Sequence, residues 1–95
     1  MPYKVEIADT ESNNKFLSNL PKSILPKLAE HLKLLGDHPF LGRSVEAPIS
    51  AYIYSFSINH AEQNYSFTVA YKINEGDETI LITNLGKTVI NYLDD

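Results

Sequence analysis

The sequence predicts an α+β fold: an N-terminal strand, a helical hairpin, then a three-stranded antiparallel meander and a short C-terminal segment. Three observations carry this reading. Apolar residues alternate over residues 3–8 and again from Tyr52 onward, the period of a half-buried strand. Between those stretches the apolar spacing changes to three and four residues, the period of a helix with one buried stripe. Prolines, glycines and small polar residues punctuate the chain where the period changes.

Taken in order, Tyr3, Val5 and Ile7 point to one side of the first strand, and Lys4 and Glu6 to the other. Asp9 or Thr10 can cap a short helix with Phe16, Leu17 and Leu20 on its apolar side. A longer helix follows Pro21 to about Leu35, with Ile24, Leu25, Leu28, Leu32 and Leu35 as its stripe. Pro26 fits if this helix begins at Ser23, because proline in a first turn loses little. Gly36 is expected to end it. Residues 36–50, with two glycines and two prolines, read as an irregular crossing segment. The meander then runs through Tyr52–Ile58, Tyr65–Ile73 and Thr79–Thr83, with turns at Asn59–Asn64 and Glu75–Asp77. The tail Thr88–Tyr92 is expected as a short helix or extended segment that packs Val89 and Tyr92 onto the sheet.

Composition bounds the function. The chain has 95 residues, 43% of them apolar, with 12 Asp+Glu against 8 Lys+Arg and a formal net charge of -4. That size predicts a single domain over residues 1–95. Cysteine is absent, which excludes disulfides, zinc–thiolate sites and thiol nucleophiles. Neither a long apolar run nor a basic, apolar leader is present, so a cytoplasmic protein without a membrane partner is expected. The acidic balance argues against general nucleic-acid binding, and any basic patch must be assembled by the fold.

Few residues point to chemistry. His31, His38 and His60 lack metal-ligand spacing, and no cofactor-binding loop occurs; no metal or cofactor is expected. Glu75, Asp77 and Glu78 read as a solvated hairpin turn. The segment His38-Pro39-Phe40-Leu41-Gly42-Arg43 is more specific. Pro39 halts the helix, Gly42 permits a tight approach, and Arg43 can grip a phosphate or pair with a carboxylate. Lys87, behind Gly86, stands where a strand end can present a working group. Tyr92 can donate its hydroxyl or bury its ring.

Several segments, in order, resemble the RelE/ParE superfamily of bacterial type II toxin–antitoxin toxins. They are the opening Tyr3-Lys4-Val5-Glu6-Ile7, the helix end Leu34-Leu35 followed by Asp37 through Arg43, Phe67-Thr68-Val69-Ala70-Tyr71, and Leu85-Gly86-Lys87-Thr88 through Tyr92. The resemblance implies a RelE/ParE-like domain and a cognate antitoxin as partner. For function it implies a toxin-like component, such as a ribosome-dependent mRNA endoribonuclease that inhibits translation. The alternative is a non-catalytic binding protein on the same scaffold, an inhibitor of DNA gyrase or an inactive relic. By position, Lys87 and Tyr92 are the catalytic candidates, and Arg43 with Lys72 would position RNA phosphates. The sequence also departs from the family: Ser57, Thr68 and Thr88 occupy positions where arginine is usual. Threonine and serine lack the charge that stabilises a developing phosphorane, which favours the binding reading.

Overall fold

The computed structural model describes residues 2–45 and 51–91. Their elements are β1 (Lys4–Ile7), α1 (Glu11–Ser18), α2 (Leu25–Asp37), β2 (Arg43–Val45), β3 (Ala51–His60), β4 (Gln63–Asn74) and β5 (Thr79–Asn91). One five-stranded sheet has the order β1-β5-β4-β3-β2. The expected meander is β3-β4-β5, paired antiparallel throughout. β1 lies parallel to β5, so the whole sheet is mixed.

Helix boundaries follow local chemistry. Thr10 caps α1, its hydroxyl accepting from Asn13 N–H at 3.1 Å. In α2 the helix starts after Ser23, and Pro26 falls in the first turn, where its missing N–H has no helical acceptor to lose. Ile24, Leu28, Leu32 and Leu35 are buried as the stripe predicts, whereas Leu25 lies on the solvent side. Gly36 does not end α2. It sits in the last turn, where a Cβ would come within 2.6 Å of Tyr3 O, so glycine is what lets the helix lie against β1.

The two helices cover one face of the sheet. Tyr65, Phe67, Val69 and Tyr71 of β4 and Ile80, Ile82 and Leu85 of β5 meet the helical leucines in one core. Burying each such side chain contributes about 1.5–3 kcal/mol. Aromatic rings extend this core along β3 and β4, with Phe56 stacked on Phe67 at 5.3 Å and Tyr52 on Tyr71 at 5.5 Å. His31, half-buried on α2, closes the row by stacking on Phe56 at 4.1 Å.

Three parts of the sheet depart from expectation. β2 forms inside the segment read as irregular and pairs with the start of β3. The β3–β4 connection is a tight turn of two residues, Ala61 and Glu62, both at positive φ (52° and 63°). The last strand does not stop at Thr83 but runs to Asn91, so of the two forms expected for the tail residues 88–91 take the extended one, as part of the sheet. Tyr92 and its expected packing, together with the side chain of Val89, lie outside the described residues.

A bulge makes the long β5 possible. Ala70 pairs with Asn84 and Tyr71 with Ile82, which leaves Thr83 as the extra residue. Its hydroxyl donates to Ala70 O at 3.2 Å. Its carbonyl accepts from Asn13 Nδ2 at 3.1 Å, and the same Nδ2 donates to Ala8 O at 3.1 Å. Asn13 is completely buried, so one amide ties the end of β1 to the bulge.

Candidate functional site: the open face of the sheet

The face away from the helices is the surface on which the sequence places most of its candidates. Residues directly opposite one another on paired strands share a face, so the register assigns each side chain. Arg43, Ile53, Ala70 and Asn84 form one row across the open face. Ser55, Thr68 and Gly86 form the next, and Ser57, Ser66 and Thr88 the one after. In the other direction Lys72 pairs with Leu81, and Leu81 with Glu6.

Ser57, Thr68 and Thr88 therefore meet in two adjacent rows. The centre of the face is a patch of hydroxyls: Ser55, Ser57 and Thr68 are exposed, as is Thr88, while Ser66 is partly covered. Such a patch can donate and accept hydrogen bonds, but none of its groups exchanges a proton near neutral pH. It offers a partner polar contacts without fixed charge.

The two phosphate-positioning candidates stand at its edge. Arg43 is exposed on β2, and Lys72 is exposed on β4 one row further along. Strand spacing and rise put their Cα atoms about 12 Å apart, close enough to meet one extended polyanion. Their surroundings differ. Lys72 lines a hollow of about 550 Å³ whose walls also hold Glu6 and Glu75; Glu6 is paired with Lys4 at 3.3 Å, so Glu75 is the carboxylate left beside the Lys72 ammonium.

Lys87 is on the other side of the sheet. It is exposed, but it pairs with Phe67, a core residue, two positions beyond buried Leu85. The bulge is the cause, because the extra Thr83 shifts the alternation of every later residue in β5. Lys87 also lies five residues along the ladder from Lys72, roughly 17 Å. The structure thus brings Arg43 and Lys72 to one surface and separates Lys87 from both; Tyr92 lies outside the described residues.

The His38–Arg43 junction has a definite build. Gly42 N–H donates to the Tyr71 hydroxyl at 2.9 Å, and that hydroxyl donates to Pro39 O at 2.9 Å. A Cβ at residue 42 would stand 2.7 Å from the Tyr71 oxygen and 2.8 Å from Ile53 O, so the expected tight approach is real. Burial raises the Tyr71 pKa above its ordinary 10.0, helped by the neighbouring Tyr52 and Tyr54 and opposed by the Gly42 bond. Tyr71 thus stays a neutral donor and pins the segment that delivers Arg43 to the sheet edge. Phe40 and Leu41, between the pins, are 57% and 45% exposed and give this corner an apolar tip.

Two further features escape a reading of the sequence. Ser23 Oγ and His60 Nε2 lie 2.9 Å apart and fasten the β3–β4 turn to the start of α2. Asn13 bonds the carbonyl of the bulged Thr83, the residue whose insertion sets the face that Lys87 occupies. The only trace of the bulge in the sequence is the three-residue step from Ile82 to Leu85, where strict alternation would give two or four.

Neither a protein-family model nor a curated protein matches this sequence. Solved structures do match its fold. The RelBE2 toxin–antitoxin complex of Mycobacterium tuberculosis is similar at TM-score 0.66 and 21% identity, over 93% of each chain. An arginine-to-alanine double mutant of the E. coli toxin RelE in the free state matches at TM-score 0.62 and 10% identity, over 90% of this chain and 83% of that one. The intact E. coli RelBE toxin–antitoxin complex matches at TM-score 0.61 and 13% identity, over 90% and 96%. The α+β fold is RelE-like.

Proposed function

We propose that this chain, as one RelE/ParE-like domain, is the toxin-like component of a type II toxin–antitoxin pair and acts by binding, with a cognate antitoxin as its protein partner. The observation that supports this most is the agreement in fold over 93% of both chains with a toxin crystallised in complex with its antitoxin. The open face favours binding over RNA cleavage. Its centre holds serine and threonine hydroxyls, and Lys87 stands across the sheet from Arg43 and Lys72. Cleavage through a 2′-hydroxyl needs a proton acceptor, a proton donor and positive charge converging on one phosphate. Removing a single such donor typically costs about 2.7–4 kcal/mol of transition-state stabilisation.

The second reading is a ribosome-dependent mRNA endoribonuclease, with Arg43 and Lys72 on phosphates and Lys87 and Tyr92 in proton transfer. It draws on the shared surface of Arg43 and Lys72. Tightly induced expression in bacteria, with translation rate followed in the same culture, separates the readings. Binding without cleavage leaves translation initially intact, with or without growth arrest; arrest through DNA gyrase belongs to this class. Immediate translational arrest that Lys87→Ala or Arg43→Ala abolishes would establish the nuclease. Tight co-purification with a small protein encoded beside this gene, relieving any arrest, is the expected sign of the antitoxin.

A further inference from the structure

Ser23 and His60 come from distant parts of the chain and meet at the start of α2. Ser23 Oγ lies 2.9 Å from His60 Nε2, and among the described residues no other serine or threonine hydroxyl is hydrogen-bonded to an imidazole. The backbone holds both in place. Ser23 sits in the tight turn that leads into α2, closed by Ile24 N–H on Pro21 O at 3.0 Å and Leu25 N–H on Lys22 O at 3.3 Å. Leu20 and Ile24, on either side of that turn, are buried. His60 ends β3, paired with Gln63 across the two-residue turn and two positions from buried Ile58. The side chains themselves stay within reach of solvent, Ser23 exposed and His60 half-buried. A serine at a helix start ordinarily gives its hydroxyl to the first-turn amides. Here α2 has no side-chain cap, and Lys27 N–H, in the first turn, has no acceptor among the described residues.

We propose that Ser23 is a nucleophile that accepts acyl groups from small activated esters, with His60 as its general base. Neutral His60, its ring proton on Nδ1, takes the Ser23 hydroxyl bond at Nε2. As Oγ attacks the ester carbonyl, the hydroxyl proton passes to Nε2. The bond from the carbonyl carbon to the leaving group then breaks, the leaving group departs with that proton, and the acyl group stays on Oγ. Water, deprotonated in turn by His60, cleaves the acyl-serine and restores the hydroxyl. Lys27 N–H points back past the helix start, and with the exposed ammonium groups of Lys22 and Lys27 it can meet the negative charge that develops on the carbonyl oxygen. Both reacting side chains face solvent, so the reaction depends on a good leaving group: aryl esters and thioesters qualify, amides do not. His60 shares its face with Phe56 and Ile58, on the helix side of the sheet, so this chemistry stands apart from the open face and from the binding role proposed for the chain.

Reaction of the full chain with p-nitrophenyl acetate tests this, with release of p-nitrophenolate followed by absorbance and the acetylated residue located by mass spectrometry. The expected product carries its acetyl group on Ser23, formed ahead of any on Ser55 or Ser57, which are equally exposed but have no imidazole beside them. Ser23→Ala should remove the fast phase of release. His60→Gln leaves the turn a polar side chain but no base, and should slow acetylation of Ser23 by about tenfold or more. The far-UV spectrum and Tm of each variant confirm that it is folded. Acetyl groups found only on lysines, or Ser23 reacting no faster than Ser55 in the wild-type chain, would overturn the proposal whatever the variants do. So would a folded His60→Gln protein whose Ser23 reacts at the wild-type rate.

Discussion

Replacing Asn13 by alanine should destabilise the protein by about 2–3 kcal/mol, although Asn13 touches neither the open face nor the leucine stripe. Its Nδ2 donates to Ala8 O and Thr83 O at 3.1 Å each, in a position with no solvent exposure. Two net hydrogen bonds are worth about 1–3 kcal/mol together, and a carbonyl stranded out of reach of water adds about 1–3 kcal/mol. Two effects offset part of this. Alanine is the better helix former by up to about 0.7 kcal/mol, and the substitution removes Asn13 Oδ1, a buried acceptor without a partner. For 95 residues the total stability expected is about 5–14 kcal/mol. Urea unfolding is the assay. With a slope near 1 kcal/mol/M for a chain of this size, the midpoint should fall by roughly 2 M. Hydrogen exchange should localise the change, with the amides around Thr83 opening faster while the β3–β4 ladder keeps its protection. Asn13→Asp should be worse than alanine at neutral pH, since a carboxylate would face two carbonyl oxygens with nothing to donate. An Asn13→Ala protein as stable as wild type would refute the clamp.

Other expectations follow from the same geometry. The turn at Ala61 and Glu62 holds two L-residues in the left-handed region, so Ala61→Asn with Glu62→Gly should raise Tm, by about 4–8 °C for each kcal/mol gained. Gly42→Ala should cost about 1–3 kcal/mol, because its Cβ meets Ile53 O at 2.8 Å as well as the Tyr71 hydroxyl; calorimetry would read the loss. Burial raises the pKa of Tyr71, so above its unfolded value of 10.0 the unfolded chain binds fewer protons than the folded one and stability must fall as pH rises. Below that pH both states keep the proton and no slope arises from this group. Tyr71→Phe should flatten the alkaline loss while lowering stability near neutral pH through the lost Gly42 and Pro39 bonds, as denaturation at stepped pH would show.

Helices and meander were legible because each repeats its own signal. Ile24, Leu28, Leu32 and Leu35 carry a helical stripe through about three turns, and Tyr65, Phe67, Val69 and Tyr71 alternate through a strand. Single events repeat nothing. The bulge depends on one residue, Thr83, and on an amide 70 positions away in sequence. Gly36 looks like a helix stop because local rules favour glycine there; its close contact with Tyr3 is set by tertiary packing. β2 comprises three residues and draws its order from β3, so nothing within Arg43–Val45 announces a strand. The site shows the same division. That Arg43 would stand at a corner braced by Gly42 could be read locally. That Lys87 would face the helices could not, since alternation counted from Ile80 without the bulge puts it on the opposite side.

β5 is in effect read in two frames, with the boundary at Thr83. Were the strand to slip one residue into unbroken alternation, Lys87 would move opposite Ser66, beside Ser57, and a cation would enter the hydroxyl patch. The same slip would turn Leu85 out to solvent, forfeiting about 1.5–3 kcal/mol of burial, and carry Asn84 into the core. Deleting Thr83 has the contrary result: the ladder becomes regular while every later residue keeps its present side. The charge on the open face is therefore governed by whether one residue is bulged out of the ladder or taken into it. Side-chain chemistry elsewhere in β5 can stay as it is while the character of that surface is reversed.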